Sequence, residues 1–299
     1  MNSDKNTPAT IVGIGEILWD MLPDGKKAGG APLNFSYHVN QFGLHGCAVS
    51  AIGKDELGKE LLDSVTKLGM ETQIAITDHP TGTVDVTLDA DGVPAYEITR
   101  DVAWDNIPWT PELEALAKRT RAAAFGSLAQ RSKTSRETIR RFLCSMPKED
   151  DTLKIFDINL RQDFYDPETL TESLGLCNVL KINDEELEII KPILNLPSGS
   201  IKESCQAIMN RYNLRILILT CGTKGSYIFS GQEESFIATP IVEVADTVGA
   251  GDSFTAAFTS SLIKGSSIAD AHRKAVETSA YVCTCHGATP RLPAHITNC

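Results

Sequence analysis

The residues best placed to do chemistry form one run, Ala245-Asp246-Thr247-Val248-Gly249-Ala250-Gly251-Asp252-Ser253-Phe254. Phe254, Ala257, Phe258 and Leu262 recur at helical spacing, so a helix opens here, and Gly249 and Gly251 let the backbone turn tightly into it. The first N–H groups of a helix lack acceptors and its dipole leaves partial positive charge at that end, so an anion is favoured there. A phosphoryl group in transfer is the anion that would gain most. Asp252 would repel it unless the acid has work of its own, and taking the proton from an attacking hydroxyl is such work. The alternative is that Asp252 is a plain helix N-cap, a place Asp often fills.

A second glycine pair, Gly29-Gly30, precedes Ala31-Pro32 and another helical pattern through Leu33, Tyr37 and Val39, which Gly43 ends. Asn34 falls in its first turn, where an amide can reach back to a ligand lying over the glycines; a plain loop with a solvated Asn34 is the alternative. Asp20 reads as a turn acid before Pro23-Asp24-Gly25, or as a carboxylate accepting two vicinal sugar hydroxyls. Trp19 alternates to the opposite face of the same strand pattern and is expected to pack rather than to stack on a sugar.

These residues need a frame, and the apolar pattern supplies one. Thr10–Gly15 reads as a buried strand followed by a second at 16–22. Its Gly13-x-Gly15 is no dinucleotide fingerprint, because position 18 is Leu and no helix follows. Strand patterns at 47–52, 122–127, 153–158, 179–182 and 216–219 alternate with helical ones at 55–69, 111–119, 135–146, 166–175, 184–194 and 200–213. Strands near 225–229 and 234–239 lead to helices at 252–264 and 268–285. Such alternation predicts an α/β fold, a doubly wound and mostly parallel sheet with helices on both faces. The stretch 81–103 breaks the rhythm with Val84/Val86/Leu88, an Asp91-Gly92 turn and Tyr96/Ile98, and reads as hairpin. With residues 16–31 it is expected to form a small β lid over the site. The main α/β domain would then be 1–15, 32–80 and 104–299.

Composition narrows the function further. The 299 residues carry a net charge of −11 and no basic stripe, which argues against nucleic acid as a partner. The first ten residues are polar, and the apolar run from Ile11 to Leu22 is broken by Glu16 and Asp20, so no membrane segment or signal core is expected. The eight cysteines, at 47, 144, 177, 205, 221, 283, 285 and 299, are scattered as reduced thiols of a cytoplasmic protein would be. Cys283-x-Cys285-His286 has no second pair at zinc-ligand spacing.

Taken together the motifs resemble the PfkB family of ribokinase-like sugar kinases. Gly29-Gly30-Ala31-Pro32-Leu33-Asn34 is similar to the family's N-terminal signature, and Asp246–Phe254 to its C-terminal one. Asp157-Ile158-Asn159-Leu160-Arg161, Asn183-x-x-Glu186 and Thr220-x-Gly222-x-x-Gly225 lie between them in the family's order, so the resemblance covers nearly the whole chain. It implies that Asp252 is the catalytic base and that the amides of Gly249, Ala250 and Gly251 form an anion hole. Asp20, Gly29, Gly30, Asn34 and Arg161 would hold the sugar. Asn183 and Glu186 would organise the Mg2+–phosphate end of ATP, Glu186 through water, while Thr220, Gly222 and Gly225 would pass along the nucleotide. Asp246 and the carbonyl of Val248 match positions that help hold a monovalent cation, K+, in many relatives. A homodimer through the small sheet is a further expectation.

Within the family, Gly15–Pro23, Ala103-Trp104-Asp105 and Phe125–Ala129 resemble bacterial fructokinases, which make fructose 6-phosphate. A 2-keto-3-deoxygluconate kinase shares the Gly-Glu opening and would set Arg161 against a substrate carboxylate. Ribokinase and nucleoside kinase fit less well because their openings usually lack Glu at the place of Glu16. A non-catalytic sugar-binding regulator would be expected to have lost Asp252 or a glycine beside it.

Overall fold

A computed structural model describes residues 9–22, 25–88, 94–149, 151–231 and 233–297. The chain opens with β1 (Thr10–Ile14), then β2 (Leu18–Leu22), β3 (Gly25–Gly29) and α1 (Ala31–Gln41). There follow β4 (His45–Gly53), α2 (Glu56–Thr66), β5 (Glu71–Thr77), β6 (Thr83–Leu88) and β7 (Pro94–Ile98). Next come α3 (Pro111–Arg119), β8 (Thr120–Phe125), α4 (Lys133–Ser145), β9 (Leu153–Asp157), α5 (Pro167–Leu176), β10 (Val179–Asn183), α6 (Asp184–Ile193) and α7 (Ile201–Tyr212). The last elements are β11 (Ile216–Thr220), β12 (Ser226–Ser230), β13 (Glu233–Ile237), α8 (Ala250–Ile263), α9 (Ile268–Cys283) and the short α10 (Ala294–Thr297).

Nine strands form one sheet in the order β13-β12-β11-β10-β9-β8-β1-β4-β5, parallel from β5 to β11 and antiparallel at β12 and β13. The α/β, doubly wound arrangement is therefore as the alternating pattern predicts. β11 shows why both faces need cover. Ile216 and Ile218 enter the core shared with α1, α8 and α9, whereas Leu217 and Leu219 enter the core shared with α3 to α7. The winding reverses at β1, because the chain goes from β1 to β4 on one side and later to β8 on the other. Crevices at the carboxyl ends of strands flanking such a reversal are where open α/β sheets bind ligands.

A second sheet, β3-β2-β6-β7, stands apart from the first. β2 pairs antiparallel with β3 and parallel with β6, and β6 pairs antiparallel with β7. Trp19 packs with Ile52, Leu61 and Val65, and its indole N–H donates to Leu57 O at 2.9 Å, so it serves the core and not a sugar. Val84 and Ile98 bury against the main core from the other half of the small sheet.

Three details differ from the sequence pattern. β5 is not apparent in it, because Glu71-Thr72-Gln73 begins an edge strand whose residues stay half-exposed and lack a continuous apolar run. Gly25–Gly29, inside the stretch expected in the small sheet, is a strand that no apolar alternation marks, its backbone recruited by β2 despite two glycines and two lysines. The run at 122–127 leaves the sheet after Phe125, since Gly126 and Ser127 turn into a short 3-10 helix, Leu128–Gln130. The turn residues Pro23-Asp24 and Asp91-Gly92 lie outside the described residues.

Candidate active site

α8 begins at Ala250 with Gly249 as its N-cap, which puts Asp252 at the third helical position. The plain N-cap reading of Asp252 is thereby removed. Gly249 has φ 77°, and a Cβ there would sit 2.7 Å from Cα, Cβ and O of Ala288. Only glycine meets both the left-handed backbone and that contact. The Ala250 N–H is already donated to Thr247 O at 3.3 Å, so it is less free for an anion than the sequence pattern implies. The N–H groups of Gly249, Gly251 and Asp252 have no acceptor among the described residues. Replacing Gly249 by Ala should cost about 1–3 kcal/mol of stability and lower kcat roughly tenfold by tilting those N–H groups. Urea unfolding and steady-state rates check this; an unchanged midpoint and rate would show that Ala288 yields freely.

Asp252 and Asn34 meet across the site. Asn34 lies in the first turn of α1, buried, and its Nδ2 donates to Asp252 Oδ2 at 2.8 Å. Its Oδ1 is buried with no partner among the described residues, an acceptor open to a ligand hydroxyl. Asp252 faces a cleft lined by Ala31, Pro32, Phe125, Gly126, Asp157 and Asn159. The acid and the first turn of α1 thus share one compartment. Burial pushes the Asp252 carboxyl up to about 6, opposed by the Asn34 hydrogen bond; Asp157 adds to the rise, and Lys181 and Arg161 oppose it. A base poised near 6 is ionised at neutral pH and still basic enough to accept a proton.

The glycine pair is shaped by its neighbours. Gly30, the N-cap of α1, has φ 118°, and a Cβ on it would fall on the Glu16 carbonyl. A Cβ on Gly29 would fall on the Asp20 carboxylate, so Asp20 lies directly against the pair, and burial pushes it up to about 6. Arg161 is exposed, donating to Leu160 O at 3.3 Å, and its charge reaches both Asp252 and Glu16.

Asn183 and Glu186 form a capping box on α6. Glu186 N–H donates to Asn183 Oδ1 at 2.7 Å, while Glu186 Oε2 accepts from Asn183 N–H at 3.0 Å and Oε1 from Leu160 N–H at 2.9 Å. The spacing Asn-x-x-Glu therefore fixes the backbone as well as presenting an acid. Thr220 ends β11, and the turn after it closes with Cys221 N–H donating to Gly225 O at 2.8 Å, while Gly222 O accepts from Thr239 Oγ1 at 2.6 Å. Asp246 accepts from Val248 N–H at 3.0 Å and Gly287 N–H at 3.1 Å, which clips the segment before α8 to the 284–288 turn.

Under the helix end Lys181 escapes a reading of the sequence pattern, and so does its pairing with Asp157 of the quoted motif. Lys181 Nζ donates to Asp157 Oδ2 at 2.7 Å, both nearly buried, and a Cβ on Gly251 would lie 3.1 Å from that Nζ. Burial alone would lower the ammonium, but Asp157, with Asp252 and Glu186 beyond it, holds it above the ordinary lysine value. A lysine inside the β10 pattern, flanked by Leu180 and Ile182, is the available signal, since a charge in a central strand needs a buried partner.

A carboxylate beside amides without acceptors, at the reversal point of a doubly wound sheet, is the arrangement that phosphoryl transfer to a hydroxyl would need. Comparison with known proteins agrees. The description "pfkB family carbohydrate kinase" matches residues 24–295, and the chain belongs to that family and is a carbohydrate kinase. A fructokinase of Solanum tuberosum is 26% identical over 98% of this chain and 95% of its own. An ATP-dependent 6-phosphofructokinase of Thermoanaerobacterium thermosaccharolyticum is 27% identical over 95% and 90%. Fructokinase from Vibrio cholerae, solved with fructose, ADP and a calcium ion, superposes with a TM-score of 0.81 at 22% identity, covering 97% of this chain and 98% of that one. The fold is thus the ribokinase-like one. Among the described residues no helix is long and apolar enough to cross a membrane.

Proposed function

We propose that the chain transfers the γ-phosphoryl group of ATP to the hydroxymethyl oxygen of D-fructose that gives fructose 6-phosphate. The observation that carries this is Asp252, set in the first turn of α8 beside N–H groups without acceptors, lining a cleft and bonded to Asn34. Asp252 takes the proton as the hydroxyl attacks, and the N–H groups of Gly249 and Gly251 receive the charge that develops on the phosphoryl oxygens. Asp20, Gly29, Gly30, Asn34 and Arg161 hold the acceptor; the orphan Asn34 Oδ1 is suited to a sugar hydroxyl. Asn183, Glu186, Thr220, Gly222 and Gly225 line the nucleotide path along the ends of β10 and β11.

Mg2+ neutralises phosphate charge when bound with ATP. The donors here suit an ion that keeps its waters: Glu186 already accepts a backbone N–H on each oxygen, so it meets the metal through water. K+ would be held by Asp246 and the Val248 carbonyl, with further carbonyls around 282–287. Residues 16–31 and 81–103 act as the lid, which excludes water as a competing acceptor. Fructokinase-named relatives support fructose as acceptor.

The test is an ADP-coupled assay over fructose, fructose 6-phosphate, 2-keto-3-deoxygluconate, ribose and a nucleoside. Fructose is expected to give the highest kcat/KM, by roughly tenfold or more, because hydroxyl-directed sites reject acceptors that leave their polar groups unpaired. A higher value for any other acceptor overturns fructose as the substrate.

A further inference from the structure

Outside the cleft Arg131, which follows the short helix after β8, is heavily engaged. Its Nε and Nη2 donate to Asp105 Oδ1 and Oδ2, each at 2.8 Å, a parallel fork. Nη2 also donates to Thr99 O at 2.5 Å, the residue after β7. The guanidinium carbon lies 4.0 Å from the Trp104 ring centroid and 4.5 Å from that of Phe164, so it is stacked between them. Arg100 covers Phe164 as well, at 4.4 Å, and pairs with Asp163 at 3.2 Å.

Phe164 is the link to the site. Its N–H donates to Arg161 O at 3.0 Å, closing the turn that carries Arg161. Two non-glycine residues of the same loop, Asn159 and Gln162, hold left-handed backbone at φ 40° and 49°. Backbone of that kind persists only where its surroundings impose it. At its upstream end the loop is tied by Leu160 N–H to Glu186 and by Ser127 Oγ to Asn159 O at 3.4 Å. At its downstream end the stacked Phe164 holds it, against guanidiniums fixed to the exit of the small sheet.

We propose that Arg131 is a positioning residue of the phosphoryl transfer: clamped between Trp104 and Phe164, it seats the Asn159–Phe164 loop against the return end of the small sheet. It thereby sets where Asn159 and Arg161 stand over the cleft. The inference rests on the reading of that sheet as cover over the acceptor. A buried Arg–Asp pair that merely braced the fold would affect stability and not the handling of the acceptor.

Two variants separate these roles. R131K keeps a cation but loses the fork and the planar stack, while F164L leaves the Arg131–Asp105 pair whole and removes only the link to the loop. Both are measured with whichever acceptor of the panel turns over, so a wrong sugar assignment leaves the result readable. The acceptor KM is expected to rise about tenfold in R131K and severalfold in F164L, with the KM for ATP within about twofold. ATP hydrolysed per acceptor phosphorylated should rise in both. Wild-type acceptor KM and coupling in F164L would overturn the proposal, whatever R131K does to the melting temperature.

Discussion

Replacing Asp252 by Asn is expected to lower kcat by roughly 10²–10⁴, equivalent to about 3–5 kcal/mol of lost transition-state stabilisation, while acceptor binding stays within about threefold. The substitution conserves shape, and a carboxamide oxygen still accepts from Asn34 Nδ2, which donates across 2.8 Å in the wild type. What is lost is the ability to take a proton, together with the charge that Lys181 and Arg161 face. A wild-type acid limb should accompany this, since the rate falls as the base is protonated around its value of about 6. Glu16 shares the neighbourhood and is pushed up to about 7, so the limb belongs to the coupled pair; Asp157, Lys181 and Arg161 set its position from the other sides. The residual rate of D252N should lack the Asp252 part of that limb. A variant rate within about threefold of wild type, or an unchanged acid limb, would remove Asp252 as the base.

Much of this site is legible in the amino-acid sequence. The helix opening at Gly249–Asp252 and the glycine pair before α1 are local signals, because glycine before an amphipathic pattern has few other uses, and the helices they open bring Asp252 and Ala31–Pro32 to one cleft. The parallel core is legible because strands buried on both faces, such as Ile216–Leu219, carry no polar alternation. What escapes depends on long-range pairing. β5 and β3 are strands because a neighbour offers a ladder and not because their sequences insist on it. The Lys181–Asp157 pair and the Arg131 stack join residues far apart in sequence, which no spacing rule connects. The family resemblance implies that Glu186 is a phosphate-end acid, and its capping box shows that the same side chain also fixes the backbone at the start of α6.

Replacing Glu16 by Gln should stabilise the chain at neutral and alkaline pH relative to acid pH. Glu16 is only 4% exposed, and its Oε2 has no partner among the described residues. Burial pushes its carboxyl from an ordinary 4.5 to about 7, with the N–H groups of Glu16 and Ala31 opposing and Asp252 reinforcing the rise. An acid raised on folding binds its proton more tightly in the native chain, so its contribution to stability is fully present below about 4.5 and is lost as pH climbs towards 7. A shift of that size corresponds to a loss of about 3 kcal/mol once both states are ionised. Gln holds the site neutral at every pH, so the stability of E16Q relative to wild type should grow by about 3 kcal/mol between about pH 4.5 and pH 8. Urea unfolding of both proteins at the two pH values measures it, and a difference that does not change with pH would mean that Glu16 is ionised without penalty. E16Q should accordingly be the more stable of the two at pH 8 relative to pH 4.5.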